Sequence, residues 1–358
     1  MEDLKMELGK EKNAMIFGAR KDDWLKIKEE MKKYDCELLC YVVSSKEGNP
    51  SDICNIPVEQ VRDICAEDKK NPIIISNAME KEAEIASFLK KNGFQKIYFG
   101  VRRYGSLSED EKAYFEHCGW NIQFNPSVPE TPSEDSVNLK IYVVTSHLNQ
   151  HAASKKITSD IMCYIQAGSA LTTQTICEIQ DNTGDNISEK NRFYCELTAG
   201  YWIYKNDHIH DYVGLYHYSR TFALEEKELY HYFNSGVDVI LNEPLLYFSS
   251  RKHFWDSDRK LEESIKTACP EYSETYARYR EEGLFVPSNM IVARKEIFDR
   301  YYEWLFAVLE TYEKISQDRN EKVEPRTMGY LGEDLTGVYF LHHSRDWKIV
   351  YTTQKELF

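Results

Sequence analysis

Short apolar runs separated by charged, helix-like segments set the strongest limit on how this chain can fold. In the first part of the chain the runs lie at residues 13–18, 38–43, 72–76 and 96–99, and helix-like segments lie at residues 22–34 and 81–92. Short apolar runs bounded by turn residues are typical of strands that are covered on both faces. Strands that alternate with helices build a parallel sheet between helical layers. We therefore expect an α/β protein in which residues 1–123 form a small Rossmann-like domain with a parallel sheet.

A single glycine follows the first of these runs. A dinucleotide-binding turn requires three glycines between the first strand and the next helix, and an acidic residue after the second strand. Here Gly18 is followed by Ala19 and Arg20, and Ser44 follows the second run. A lone glycine after a strand is more often a tight turn. We interpret the domain as a scaffold or docking domain. A phosphate bound near Arg20 and a nicotinamide-dependent oxidoreductase are the alternatives.

A proline-containing segment separates this domain from the rest of the chain. Residues 124–137 contain three prolines and little apolar surface, which is typical of a linker. The apolar run at residues 139–144 then begins a second domain, residues 138–358, and Thr145 and His147 follow that run closely. Ligands of open α/β sheets bind beyond the carboxyl ends of the strands. We expect Thr145 and His147 to contact a bound nucleotide.

The loop after residue 181 is rich in polar side chains. Asp185 and Asn186 follow Gly184, which allows the backbone to turn sharply, and Lys190 precedes a helix-like run at residues 193–206. These side chains can bind a donor substrate, or they can cap the following helix. Glu196 lies in that otherwise apolar run, so we expect it to be buried and hydrogen-bonded.

Two later segments supply further candidates. His217, Tyr218 and Arg220 follow an apolar run at residues 212–216 and form a cationic turn. Asn289 lies midway along an apolar run at residues 283–294, where an amide needs a buried partner or a ligand. Glu333 and Asp334 precede the apolar residues 335–341 and would open a helix, where they could pair with the helix dipole or act chemically.

These motifs also carry a resemblance to a known family. The segments at residues 181–188, 196–202 and 213–220 are similar to those of bacterial capsular and O-antigen polysaccharide glycosyltransferases, long catalogued only as a domain of unknown function. The resemblance covers about residues 139–358. It implies a GT-A-like nucleotide-diphospho-sugar transferase domain. The family pattern has two arginines after the His-Tyr pair, and in this chain Ser219 occupies the first of those places.

The resemblance also implies a reaction and roles for the candidate residues. It implies an inverting hexosyltransferase that moves a sugar from a uridine diphosphate (UDP) donor to a growing capsular or surface polysaccharide. Some relatives transfer galactofuranose, which makes that sugar one candidate. Thr145, His147, Asp185 and Asn186 would hold the nucleotide. The remaining assignments are Lys190 and Asn289 as substrate contacts, His217, Tyr218 and Arg220 at the diphosphate, and Glu333 as base with Asp334 as its alternative.

The cationic turn also bears on metal dependence. In GT-A enzymes an Asp-x-Asp motif usually holds a divalent cation against the donor diphosphate at this point of the fold. Here His217 and Arg220 occupy that place, and fixed cations can stabilise the same developing charge. We therefore expect weakened or absent metal dependence and assign no metal ligands and no certain cofactor. Manganese or magnesium at the diphosphate is the less favoured alternative.

Overall composition limits the partners and the compartment. A net charge of −14 argues against sequence-independent binding to nucleic acid. No run of about 18 apolar residues occurs, and nine scattered cysteines fit a reducing compartment, so we expect a cytoplasmic protein. The expected partners are the nucleotide sugar and a saccharide or lipid-linked saccharide acceptor. Peripheral contact with the inner face of the plasma membrane or with other polysaccharide-synthesis proteins stays open. The alternative function is a non-catalytic nucleotide-sugar or saccharide sensor.

Overall fold

The computed structural model describes the chain as an α/β protein with two mixed, mostly parallel sheets. The described residues are 11–18, 31, 35–53, 55–75, 82–99, 120, 123–124, 137–149, 157, 159–246, 255–281 and 284–357. The chain divides into two compact units. One comprises Met1–Tyr114 with Leu246–His253, and the other comprises Phe115–Leu245 with Phe254–Phe358.

The first unit contains a six-stranded sheet. Its strands are β1 (Asn13–Phe17), β2 (Glu37–Val43), β3 (Asp52–Ile53), β4 (Ile56–Gln60), β5 (Pro72–Ile75) and β6 (Lys96–Phe99), with helix α1 at Glu82–Lys91. The order is β3-β4-β2-β1-β5-β6, and only the β3–β4 pair is antiparallel. Four strands and α1 confirm the alternation predicted from the sequence. The strands β3 and β4 were not predicted, because Asp52, Pro57 and Glu59 interrupt any apolar run there.

Both faces of this sheet are buried. Ala14, Ile16 and Ile74 pack on one face, and Met15 and Ile73 pack on the other. This double burial explains why the strands are continuously apolar rather than alternating. Met31 is the only residue of the predicted helix at residues 22–34 that lies within the described part of the chain. Of the predicted linker at residues 124–137, the described residues are Phe124 and Val137. Arg20 lies outside the described part of the chain.

The second unit is built on a larger sheet. The strands of this sheet are β7 (Gln123–Phe124), β8 (Leu139–Thr145), β9 (Met162–Gln166), β10 (Ile179–Gln180), β11 (Tyr212–His217), β12 (Arg220–Phe222), β13 (Val239–Asn242), β16 (Ile291–Arg294), β17 (Ile349–Thr352) and β18 (Gln354–Glu356). The short strands β14 (Leu245–Leu246) and β15 (Leu284–Phe285) pair with each other in a separate two-stranded sheet. The main path runs β10-β9-β8-β11-β16-β13-β17-β7, and β12 pairs with both β11 and β18. Along the main path β16 is antiparallel to its two neighbours, and the other pairs are parallel. Because β7 joins this sheet, the predicted boundary at residue 123 falls inside one of its strands.

Helices cover this sheet. They are α2 (Asn191–Tyr194), α3 (Leu197–Asn206), α4 (Glu226–Asn234), α5 (Trp255–Ala268), α6 (Ser273–Glu281), α7 (Lys295–Asp318) and α8 (Thr327–His342). The predicted helix at residues 193–206 is therefore wrong as one element, since the chain breaks between α2 and α3. Within the described residues, no helix combines the length and the apolarity needed to cross a membrane.

Packing between α7 and α8 fixes the position of α8. Tyr301 of α7 is buried, and its hydroxyl lies 2.6 Å from Thr336 Oγ1 on α8. The rings of Tyr301 and Phe340 also pack with their centroids 5.1 Å apart. Burial of such large side chains stabilises each by about 1.5–3 kcal/mol. The side chains that α8 presents toward the sheet are thus held by a rigid support.

Candidate active site

One edge of the second sheet collects most of the predicted site residues. Strands β8 and β11 are parallel neighbours, and His217 at the end of β11 pairs in register with Val144, next to Thr145. Strand β16 runs the opposite way, so Asn289, which precedes it, lies at the same edge. Asn289 was predicted midway along a strand, and this is wrong because the run at residues 283–294 is two short strands joined by a turn.

A hydrogen-bonded cluster forms at this edge around Glu196. The buried Asn289 donates from Nδ2 to Glu196 Oε1 at 2.6 Å and to the Gly329 carbonyl at 2.9 Å. His217 Nε2 lies 3.6 Å from the same Glu196 oxygen. The side chains of His217 and Glu196 are 18% and 17% exposed, so neither side chain is fully buried. The cluster therefore links the end of β11, the start of α3, the turn before β16 and helix α8.

Strained backbone surrounds the cluster. Cys195 (φ 51°) precedes Glu196, Ser288 (φ 67°) precedes Asn289, and Arg326 (φ 68°) precedes α8. Such conformations cost non-glycine residues on the order of 1–3 kcal/mol each and concentrate at functional sites. The strain at Cys195 is what separates α2 from α3 and leaves Glu196 at the start of a helix.

The charge of this edge comes from arginine rather than histidine. Burial lowers the pKa of His217 below its usual value, the nearby Arg220 acts in the same direction, and Glu196 opposes them. His217 is therefore neutral at pH 7. The sequence interpretation of His217 as a fixed cation is wrong in this state, and Arg220 carries the positive charge of the turn. Tyr218 lies half-buried in the tight turn between them.

Several buried polar atoms at this edge have no hydrogen-bond partner among the described residues. They are Thr145 Oγ1, His147 Nδ1, His217 Nε2, Asn242 Oδ1, Asn289 Oδ1, Thr352 Oγ1 and Gln354 Oε1. Buried polar atoms are nearly always hydrogen-bonded, and leaving one unpaired costs about 1–3 kcal/mol. Their concentration at the ends of β8, β11, β13 and β17 indicates a surface prepared for polar ligand groups or for ordered water.

Glu333 lies in the same electrostatic environment. It is half-buried on α8. Burial raises the pKa of the Cys195 thiol to about 11, Glu196 and Glu333 act in the same direction, and Arg326 opposes them. A Cβ atom added to the preceding Gly332 would lie 2.8 Å from Asn289 Oδ1, so the glycine permits this close approach. The helix begins at Thr327, which puts Glu333 and Asp334 in its second turn. The interpretation that they open the helix is therefore wrong. Asp334 is buried at 5% exposure.

Three other predicted residues are engaged elsewhere. Asn186 Oδ1 accepts from the Ser188 amide in a local turn, and Tyr201 donates to Asp185 Oδ1. Neither α2 nor the short 3-10 helix before it (Ser188–Lys190) has a side-chain cap hydrogen bond, so the structure does not confirm the capping alternative. The backbone of Asp185 is also hydrogen-bonded to the side chain of Asn206, the last residue of α3. Asn206 follows Glu196 by ten residues, so at a rise of 1.5 Å per residue it lies about 15 Å from Glu196 along the helix. Lys190 Nζ pairs with Glu313 at 2.8 Å. The structure does not bring these residues into the Glu196 cluster.

Two residues of the cluster had no assigned role in the sequence analysis. Glu196 was expected only to be buried and hydrogen-bonded, and its signal was a carboxylate in an apolar run. Arg326 had no signal. Its guanidinium lies 5.2 Å from the Tyr330 ring centroid and interacts electrostatically with Cys195 and Glu196. Across the described part of the chain, no three His, Cys, Asp or Glu side chains are grouped so that they could hold a metal ion.

The comparisons with known proteins fit this geometry. The model of a domain of unknown function, DUF4422, matches residues 140–344, which is more than half of the chain. The chain belongs to the DUF4422 family. The apo structure of WbbM, a bifunctional glycosyltransferase, is similar to it at 26% sequence identity with a TM-score of 0.51, covering 62% of this chain.

The chain spans 46% of the length of WbbM. The mannosyltransferase Ktr4p from S. cerevisiae matches 58% of this chain and 74% of its own at 10% identity, with a TM-score of 0.27. No protein in the curated comparison set matches. This DUF4422 chain thus resembles a glycosyltransferase in both sequence and structure.

Proposed function

We propose that this DUF4422 protein is an inverting glycosyltransferase that moves a sugar from a UDP donor to a hydroxyl group of a saccharide acceptor. The observation that carries the proposal is the Glu196–Asn289–His217 cluster. It lies at the carboxyl edge of a mostly parallel sheet, among buried polar atoms without partners, in a chain that is 26% identical to a glycosyltransferase structure over 62% of its length. Open α/β sheets bind their ligands at this edge.

The donor would lie across the ends of β8 and β11. Thr145 and His147 would hold the nucleotide, since each keeps a buried polar atom without a partner in the described chain. Arg220 and the neutral His217 would stabilise the diphosphate, with Tyr218 beside them. Arg220 supplies the charge, and His217 supplies a hydrogen bond. Charge stabilisation of a leaving group by a fixed donor is worth about a hundredfold or more in rate.

The acceptor hydroxyl would attack the anomeric carbon as its bond to the diphosphate oxygen breaks. The hydroxyl proton passes to a carboxylate, and the bonding electrons leave with UDP. Glu333 is the proposed base, because it is half-buried and shares the environment of Glu196. Asp334 is the alternative, although its burial limits access. Glu196, held by Asn289, is proposed as a positioning residue for this centre.

The finer features of the protein follow from the same proposal. Residues 138–358 would form the GT-A-like transferase domain, and the product would extend a capsular or surface polysaccharide. Galactofuranose is one candidate donor sugar. Without the short strand β3, the first sheet has the order β4-β2-β1-β5-β6. Counted along the chain this is the strand order 3-2-1-4-5 of a Rossmann fold, which supports a Rossmann-like scaffold or docking domain. Asp185, Asn186 and Lys190 would act away from the reacting centre.

A panel of nucleotide sugars tests the proposal. Thermal unfolding and slow release of the nucleoside diphosphate are measured with each donor in the absence of an acceptor. We expect one UDP sugar to raise the melting temperature and to release UDP, and we expect Glu333→Gln to keep the shift while it slows transfer. A shift without any release would favour the saccharide sensor. No response to any donor would contradict the proposal.

A further inference from the structure

A second group of unpartnered polar atoms lies at the ends of β13 and β17 and at the start of β18. Asn242 ends β13, Thr352 ends β17, and the two are register partners in adjacent parallel strands. Gln354 begins β18, two residues further along the chain. Asn242 Oδ1, Thr352 Oγ1 and Gln354 Oε1 have no hydrogen-bond partner within the described chain. No role has been assigned to these three side chains in the transfer described above.

Two of the three side chains bond to one short segment, and Thr352 is the register partner of one of them, Asn242. Asn242 donates from Nδ2 to the Pro287 carbonyl at 2.7 Å. Gln354 donates from Nε2 to Ser288 Oγ at 3.1 Å. These bonds fix both amides with their oxygens turned away from the Pro287–Ser288 turn. Asn242 and Thr352 are each only 1% exposed, so bulk water does not satisfy the remaining atoms.

The chemistry of the group selects its ligand. Two amide oxygens can only accept hydrogen bonds, and a hydroxyl can accept or donate. A diphosphate offers only acceptors at neutral pH and cannot pair with amide oxygens. Sugar hydroxyl groups donate and accept, and the three side chains carry no charge. The group therefore suits a neutral, hydroxyl-rich ligand, whereas the charged Arg220 on β12 suits the diphosphate.

The location of the group connects it to the reacting centre. The strained Ser288 is followed directly by Asn289, so their Cα atoms are about 3.8 Å apart. Ser288 accepts a hydrogen bond from Gln354, and Asn289 donates a hydrogen bond to Glu196. A sugar held by the group would lie beside the carboxylates of the proposed transfer.

We propose that Asn242, Thr352 and Gln354 form a subsite for the hydroxyl groups of a neutral sugar, the terminal residue of the acceptor. Its description as the acceptor subsite rests on the proposed sugar transfer. The binding of a neutral sugar does not, because it follows from the three side chains alone.

Direct binding of simple sugars tests the subsite in the full-length protein. Saturation-transfer NMR is recorded with neutral methyl hexopyranosides of galactose, glucose and mannose, and with a methyl glucuronide. We expect a neutral hexoside to bind, and we expect Thr352→Val to weaken it about three- to tenfold, the effect of one neutral hydrogen bond. The neighbouring Thr353→Val is the matched control and should bind as the wild type does.

Calorimetric titration with UDP separates the two proposals. Thr352→Val should leave the affinity for UDP unchanged, since Thr352 is uncharged and lies on β17, whose sheet neighbours are β13 and β7 rather than the strand β12 that carries Arg220. Sugar binding without UDP binding would remove the proposed transfer but keep the subsite. If no neutral hexoside binds, with or without UDP, the subsite is overturned. Equal effects of Thr352→Val and Thr353→Val on sugar binding would also overturn it, because that result is expected if Thr352 binds only a water molecule. Should Thr352→Val fail to fold, Gln354→Ala at its half-buried position decides by the loss of sugar binding alone, since Gln354 is the register partner of Phe222 on β12, the strand that also carries Arg220.

Discussion

Replacement of Asn289 should disturb the candidate site most, because its buried amide makes two hydrogen bonds that link Glu196 to α8. Its amide donates to the Glu196 carboxylate at 2.6 Å and to the Gly329 carbonyl at 2.9 Å from a position that is 2% exposed. A hydrogen bond to a charged group contributes about 1.5–3 kcal/mol, and one to a neutral carbonyl contributes about 0.5–1.5 kcal/mol. Asn289→Ala should therefore lower the free energy of unfolding by about 2–4 kcal/mol.

Calorimetry and urea unfolding measure this loss, and an exposed asparagine of the same unit provides the control. Asn138 donates one bond to the Ile209 carbonyl at an exposed position, so Asn138→Ala should cost about 1 kcal/mol or less. Asn289→Asp adds a pH test, because it opposes two carboxylates across the same 2.6 Å gap. Its stability should recover as the pH falls and one carboxylate takes a proton. Equal losses for Asn289→Ala and Asn138→Ala would refute the view that the Asn289–Glu196 bond holds the site.

The remaining predictions concern the charged and titrating groups. Arg220→Ala should lower turnover about a hundredfold or more, and wild-type turnover would show that Arg220 does not touch the leaving group. Glu333→Gln should abolish sugar transfer while UDP still binds. A larger loss of transfer in Asp334→Asn than in Glu333→Gln would make Asp334 the base instead of Glu333. Excess EDTA should leave most activity intact, and complete loss restored by manganese would show a metal requirement. Because the pKa of His217 lies below its usual 6.5, the unfolded state binds the proton more tightly, so stability should fall as the pH drops below about 6.5. His217→Gln should flatten that slope, and so should His342→Gln, whose histidine pKa is also lowered by burial.

The strands were predictable where burial on both faces leaves a continuous apolar run. Residues 139–144 predict β8 almost to its bounds, and the register of β8 with β11 then places Thr145 beside His217. Glu196 was predictable as hydrogen-bonded because a carboxylate in an apolar helix must find a partner. The partner itself, Asn289, is 93 residues away and comes only from the fold.

The turns that build the site were not predictable. Cys195, Ser288 and Arg326 adopt positive φ angles, although turn patterns favour glycine or asparagine for that conformation. The sequence pattern therefore predicted one continuous helix through Cys195 and one continuous strand through Ser288. Arg326 gave no signal, because its neighbours Cys195 and Glu196 come from a distant part of the chain.

Release of UDP from UDP sugars by the purified protein tests the central claim most directly. The rate is measured for the wild type with a neutral hexoside as acceptor, and for Arg220→Ala and Glu333→Gln in the same assay. The proposed transfer predicts release with one donor, acceleration by the acceptor, and strong loss in both variants. Release that is equal in the wild type and both variants, or no UDP binding at all, would contradict sugar transfer at this edge of the sheet.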